Sequence, residues 1–133
     1  MKAVLAMVVV ALALAGCAIP TDVDANFGEV FSLNVGQQAI LEDGGVIRFV
    51  RVTEDSRCPE DAACAWEGNA EVLLELIEKG ATPRPFTLNT HEPYGNEVNL
   101  QGYTISLYNL HPTQHTERTI NPEDYIVELR VTR

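Results

Sequence analysis

The chain is short of basic residues and of nucleophilic side chains. Its 133 residues include 9 Lys and Arg against 19 Asp and Glu, a formal net charge of −10. Nucleic-acid binding relies on basic side chains that displace counterions from phosphates, so no nucleic-acid partner is expected. Serine occurs only at Ser32, Ser56 and Ser106, and none of the three lies in the elbow motif of serine hydrolases. These shortages favour binding over catalysis.

The chain also lacks a hydrophobic run long enough to span a membrane. Its longest run, from Ala3 to Ala15, is shorter than the roughly 20 residues that a transmembrane helix needs. The run follows Lys2 and ends in small residues before Cys17, which is the layout of a secretory signal peptide. Without residues 1–16, 8 basic and 19 acidic residues remain, a net charge of −11. We interpret this acidity as a solvated surface.

The end of the leader carries a motif for lipid attachment. Leu14-Ala15-Gly16-Cys17 resembles the lipobox of bacterial lipoproteins, and the resemblance implies cleavage after residue 16 and lipidation of Cys17. The membrane would then be a partner through this N-terminal lipid, without a spanning segment. Ala18 is not the aspartate that retains such proteins at the inner membrane, so the outer membrane facing the periplasm is favoured in a Gram-negative host. The alternative is an ordinary signal peptide that leaves Cys17 as a free thiol.

The remaining sequence predicts a short tether and one domain. Residues 17–26 are mostly small and polar and contain a proline, which favours a flexible tether. Residues 27–133 have the length of a single domain. Apolar and polar residues alternate along residues 31–35, 103–107 and 125–131, and Gly- and Pro-containing turns separate such runs. The pattern predicts an all-β fold, a single antiparallel β-sandwich or barrel-like domain of about seven or eight short strands with one disulfide.

Two cysteines remain once Cys17 is assigned to the lipid. Cys58 and Cys64 form an even pair in an exported chain, for which an oxidising compartment favours a disulfide. The alternatives are a metal site and a redox dithiol. Their common motifs leave two residues between the cysteines, whereas five lie between these. For so short a loop, a disulfide would stabilise the domain by about 2 to 2.5 kcal/mol.

The segment around this pair resembles a known signature. DSRCPEDAACAWEGNA, residues 55–70, is similar to the D-S-R-C-P…C-x-W-x-G-x-A signature of a family of uncharacterised bacterial secreted and lipoprotein domains. The resemblance covers residues 29–79 best and implies a β-sandwich-like fold with a Cys58–Cys64 disulfide, but no established activity. It also bears on residues 69–80, whose local spacing favours a helix slightly. We expect a strand there, because strand patterns flank the segment and the resemblance agrees.

Several aromatic and charged residues are candidates for an interaction surface. Arg57 and Trp66 belong to residue types that are enriched at interface hot spots. If exposed, they would contact an envelope protein or peptide partner, or Arg57 would serve in the loop of a proteinase inhibitor. If structural, Arg57 would bind a carboxylate such as Asp55, and Trp66 would pack over the disulfide. A further hypothesis is a sugar- or peptide-binding face made of the tyrosines Tyr94, Tyr103 and Tyr108.

Two histidines provide the weak case for a metal. His111 and His115 are four residues apart, but Pro112 disfavours a helix that would align them, and no glutamate follows His111 as a zinc-protease motif requires. A metal-dependent hydrolase that uses this pair is therefore an alternative hypothesis. The prediction that we carry forward is a membrane-anchored envelope lipoprotein without a metal or cofactor, which acts as a non-catalytic binding module.

Overall fold

The computed structural model describes residues 21–133, so the predicted lipidation site Cys17 and its leader lie outside the described residues. Across residues 21–133, no helix has the length and hydrophobicity needed to cross a bilayer. The described part of the chain consists of nine strands and two short 3-10 helices. In chain order they are β1 (Val23–Ala25), β2 (Val30–Asn34), β3 (Gln38–Leu41), β4 (Val46–Asp55), β5 (Ala70–Ile77), β6 (Arg84–Asn89), η1 (Glu92–Tyr94), β7 (Glu97–Leu100), β8 (Tyr103–His111), η2 (Pro122–Asp124) and β9 (Ile126–Thr132).

The strands form two sheets around one core. The first sheet has the order β1-β3-β4-β5-β6 and the second has the order β2-β9-β8-β7. Neighbouring strands are antiparallel except for β1 and β3, which are parallel. The predicted all-β, sandwich-like fold is confirmed. Strand β1 lies inside the segment 17–26 that was expected to be a tether, and its Ala25 is buried. Residues 23–25 therefore belong to the folded domain.

The alternation of apolar and polar side chains explains why β5 forms a strand with one face toward the core. In β5 the residues Ala70, Val72, Leu74 and Leu76 are buried, and the residues between them are partly exposed. The strand prediction for this segment is confirmed, and the helix that local spacing slightly favoured does not form. Pairing with β4 and β6 on its two edges satisfies the backbone of β5, so tertiary pairing outweighs the local helical pattern.

Strand β4 positions the signature segment. It is a central strand of the first sheet, and it buries Ile47 and Phe49. Its other face is not covered, however, and carries the partly or fully exposed arginines Arg48 and Arg51. Two register shifts against β5 occur in its second half, where β-bulges increase local twist. The strand ends at Asp55, the first residue of the signature.

Candidate functional site

The signature segment connects β4 to β5 and extends their hairpin. Cys58 and Cys64 form a disulfide, which confirms the predicted pairing. Backbone pairing continues beyond the two strands, because the amide of Ser56 donates to the carbonyl of Asn69 at 2.7 Å and that of Cys58 donates to the carbonyl of Glu67 at 2.8 Å. The bridged loop is thus held at its base by the same pattern of bonds that forms the sheet.

Gly68 allows the two sides of this base to approach. Its φ is +73°, a value that residues other than glycine rarely adopt. A Cβ atom at this position would lie 1.9 Å from the carbonyl oxygen of Ser56 and 2.8 Å from the Cα atom of Arg57. Both of these neighbours are backbone atoms, which cannot move aside without breaking the pairing. The glycine of the signature is therefore required by the close contact of two backbones.

Arg57 points into the protein. Its Nε and Nη2 atoms donate to the two carboxylate oxygens of Asp55 at 2.8 and 2.7 Å. Nη1 also donates to the carbonyl oxygen of Leu110 at 2.7 Å, and Nη2 to that of Pro112 at 2.9 Å. The side chains of Arg57 and Asp55 are 14% and 6% exposed. This bidentate pair fastens the signature segment of one sheet to the end of β8 in the other.

Tyr125 completes this group of polar side chains. Its hydroxyl donates to Oδ2 of Asp55 at 2.8 Å. Burial opposes ionisation of Asp55, but the hydrogen bonds from Arg57 and Tyr125 outweigh burial and hold the pKa of Asp55 below its usual value. Burial and the bond to this carboxylate raise the pKa of Tyr125 to about 12. At neutral pH the group consists of a carboxylate, a guanidinium and a neutral phenol.

This placement decides between the two roles considered for Arg57. The guanidinium donates hydrogen bonds to Asp55 and to two backbone carbonyls of the protein itself, which is the structural role. A proteinase-inhibitor loop would have to present the arginine to a protease pocket instead. The geometry therefore gives no support to inhibition through Arg57, and the residue is not part of an exposed surface.

Trp66 lies on the outside of the domain, together with two other aromatic side chains. Its side chain is among the exposed large apolar groups, with 52% of the residue exposed. The Trp66 ring lies 5.6 Å from that of His91 at an interplanar angle of 89° and 6.4 Å from that of Tyr94, and the last two rings are 4.8 Å apart. We refer to Trp66, His91 and Tyr94 as the aromatic cluster. Its edge-to-face arrangement is the favoured geometry for aromatic pairs.

A buried asparagine holds the base of this cluster. Asn69 is 7% exposed; its Oδ1 accepts from the backbone N–H of His91 at 3.0 Å, and its Nδ2 donates to Oδ1 of Asn89 at 2.8 Å. The side-chain Nδ2 of Asn89 donates in turn to the carbonyl oxygen of Tyr94 at 3.0 Å. Nδ1 of His91 is hydrogen-bonded to Oε1 of Glu67. Asn69 and Asn89 therefore hold the backbone that carries the rings of His91 and Tyr94.

The sequence indicated Trp66 and Tyr94 as separate candidates. It did not predict that they lie close together, or that His91 belongs to the same cluster. The tyrosines do not form one face, since Tyr103 is buried and Tyr108 is exposed on the second sheet. His91 directly precedes the short 3-10 helix that begins at Glu92, and no local pattern of the sequence places it near Trp66.

The histidines considered for a metal are bound to separate carboxylates. Nε2 of His111 lies 3.1 Å from Oε1 of Glu128, and Nε2 of His115 lies 3.4 Å from Oε2 of Glu60. Within residues 21–133, no three His, Cys, Asp or Glu side chains are grouped closely enough to hold a metal ion. The hydrolase hypothesis thus gains no support from these positions, whereas the aromatic cluster combines exposure with a rigid base.

No family model, curated protein or solved structure matches the chain.

Proposed function

We propose that the protein is a membrane-anchored lipoprotein of the bacterial envelope whose β-sandwich domain binds a protein or peptide through the aromatic cluster. The observation that carries the binding proposal is the exposure of two large aromatic residues, 52% for Trp66 and 60% for Tyr94, at one place on the surface. Exposed aromatic side chains that lie together are typical of interaction sites.

The rigidity of the cluster supports binding. Trp66 follows a disulfide-closed loop, and the backbone of His91 and Tyr94 is tied to Asn69 and Asn89. A surface that is already ordered loses less conformational entropy when a partner binds. Aromatic residues in such positions account for at least about 2 kcal/mol each when they are hot spots.

The charge around the cluster favours a basic partner. The side chain of Glu67 is 71% exposed beside His91, and the exposed Glu92 lies in the same 3-10 helix as Tyr94. Aromatic faces attract ammonium and guanidinium groups, and the mature chain has a net charge of −11. We therefore propose an envelope protein or peptide that places Lys or Arg side chains on the cluster.

The anchor rests on the resemblance of Leu14-Ala15-Gly16-Cys17 to a lipobox and on the leader before it. Several acyl chains on one residue are sufficient for stable membrane attachment. Because Ala18 follows the cysteine, we propose the outer membrane facing the periplasm when the host is Gram-negative.

Capture of partners in the native envelope tests the binding proposal. We expect a Trp66→Ala, Tyr94→Ala double variant to lose a partner that the wild type retains, while its thermal unfolding changes little. Ile40→Ala is the matched control, since Ile40 is an exposed apolar residue on β3, away from the cluster. Retention of every partner by the double variant would contradict the proposal.

A further inference from the structure

A concave site, separate from the aromatic cluster, lies on the outer face of the second sheet. Its volume is about 330 Å³, within the range of small-molecule sites. The residues that line it are Asn96, Glu97, Ser106, Leu107, Tyr108 and Arg130. These residues come from β7, β8 and β9 or from the residue just before them, so the site does not include the aromatic cluster and is independent of the function proposed above.

Strand register places an acid, a hydroxyl and a base in one row across this site. Glu97 is paired with Ser106, and Ser106 is paired with Arg130. The hydroxyl of Ser106 donates to Oε2 of Glu97 at 2.7 Å. Neighbouring strands are separated by about 4.8 Å, so the backbones of Glu97 and Arg130 are about 10 Å apart. The opposite charges stand on either side of a small residue.

The guanidinium of Arg130 has no carboxylate partner within the described part of the chain. In residues 21–133, its Nε is the one buried side-chain nitrogen or oxygen that makes no hydrogen bond. No carboxylate of residues 21–133 lies within ion-pair distance of its guanidinium, although the guanidinium carbon lies 5.1 Å from the centre of the Tyr108 ring. An unsatisfied buried donor is costly. The Nε atom is closed to solvent, so a ligand in the adjoining cavity would bind the guanidinium through its terminal nitrogens.

We infer that this site binds a ligand that carries a carboxylate next to a nitrogen donor. The carboxylate would accept from Arg130, since guanidinium groups pair with carboxylates in a bidentate manner. The nitrogen donor would bind the carboxylate of Glu97, and the hydroxyl oxygen of Ser106 would accept a further bond. In such a ligand the carboxylate and the nitrogen are attached to one carbon, and each makes a hydrogen bond of about 2.8 Å. A ligand of this size fits between the side chains of Glu97 and Arg130, whose backbones are about 10 Å apart. A free amino acid and the free C-terminal end of a peptide both have this chemistry.

Titration of the full chain in detergent micelles, followed by amide and arginine Nε–H NMR signals, tests this inference. The probes are glycine, alanyl-alanine, alanyl-alanine amide, acetate and inorganic phosphate. We expect saturable shifts at Ser106 and Arg130 with glycine or alanyl-alanine, and much weaker ones with acetate and the amide. The preferred one of the first two probes tells whether the ligand is an amino acid or a peptide end.

The variants give a second test. Arg130→Gln should weaken binding at least about 10-fold, since a hydrogen bond to a charged group is lost, and Glu97→Gln should weaken glycine binding in the same direction. Arg51→Gln is the control, because it removes the same charge from an exposed position in the first sheet. The inference is overturned by an absence of saturable shifts with all probes, by equal affinity in Arg130→Gln, or by acetate or phosphate binding as tightly as glycine.

Discussion

Removal of the Arg57 side chain should lower the free energy of unfolding of the domain and leave the aromatic cluster unchanged. In Arg57→Ala, Asp55 keeps only the hydroxyl of Tyr125 as a side-chain partner, and the carbonyls of Leu110 and Pro112 lose the donors that Arg57 supplied. Breaking a buried ion pair by removing one partner costs about 3 to 5 kcal/mol. Since the Arg57 side chain is still 14% exposed, water recovers part of this loss, and we expect a decrease of about 3 kcal/mol in the free energy of unfolding.

Urea unfolding of the chain that begins at Ala18 measures this change. With a slope of about 1.5 kcal/mol per molar urea for a domain of this size, the midpoint should fall by about 2 M. Arg51→Ala removes an exposed arginine from β4 and should change stability by no more than about 0.5 kcal/mol. If Arg57→Ala shifts the midpoint no more than Arg51→Ala does, the structural role of Arg57 is refuted.

Three further predictions concern other parts of the molecule. Gly68→Ala should destabilise the domain severely, because its Cβ would lie 1.9 Å from the carbonyl oxygen of Ser56; a far-ultraviolet thermal melt that matches the wild type would contradict this. The pKa of Asp55 is lowered and that of Tyr125 is raised to about 12, so unfolding free energy should fall as pH drops below about 4 and as it rises above about 10; a flat profile across either limit would contradict the assignment. Cys17→Ser should abolish incorporation of a labelled fatty acid, and equal labelling of variant and wild type would disprove lipidation at that residue.

The strands were predictable because their signal is local. Alternating apolar residues show which face of a strand meets the core, and the pattern of 125–131 appears directly in the burial of β9. The pairing of Asp55 with Arg57 was also within reach, since the two residues are close in sequence and opposite in charge. The disulfide was predicted from the two cysteines that remain once Cys17 is assigned to a lipid, on the expectation that the chain is exported.

The aromatic cluster was not predictable, because it depends on strand register. Glu71 of β5 is paired with Asn89 of β6, and this register brings the residues before β5 next to those after β6. Trp66 and His91 meet for that reason, although 24 residues separate them. No local pattern encodes such a register, which is set by the fit of the two strands to the common core. The same holds for the row of Glu97, Ser106 and Arg130, which spans three strands.

Photo-crosslinking in the native envelope tests the central claim most directly. A photoreactive phenylalanine analogue placed at Tyr94, which is 60% exposed at the edge of the aromatic cluster, is compared with the same group at Ile40, which is 36% exposed on β3. The account predicts a discrete crosslinked protein or peptide at position 94 that is absent at position 40 and is lost when Trp66→Ala is added. Crosslinking that is the same at both positions, or absent at position 94, would contradict it.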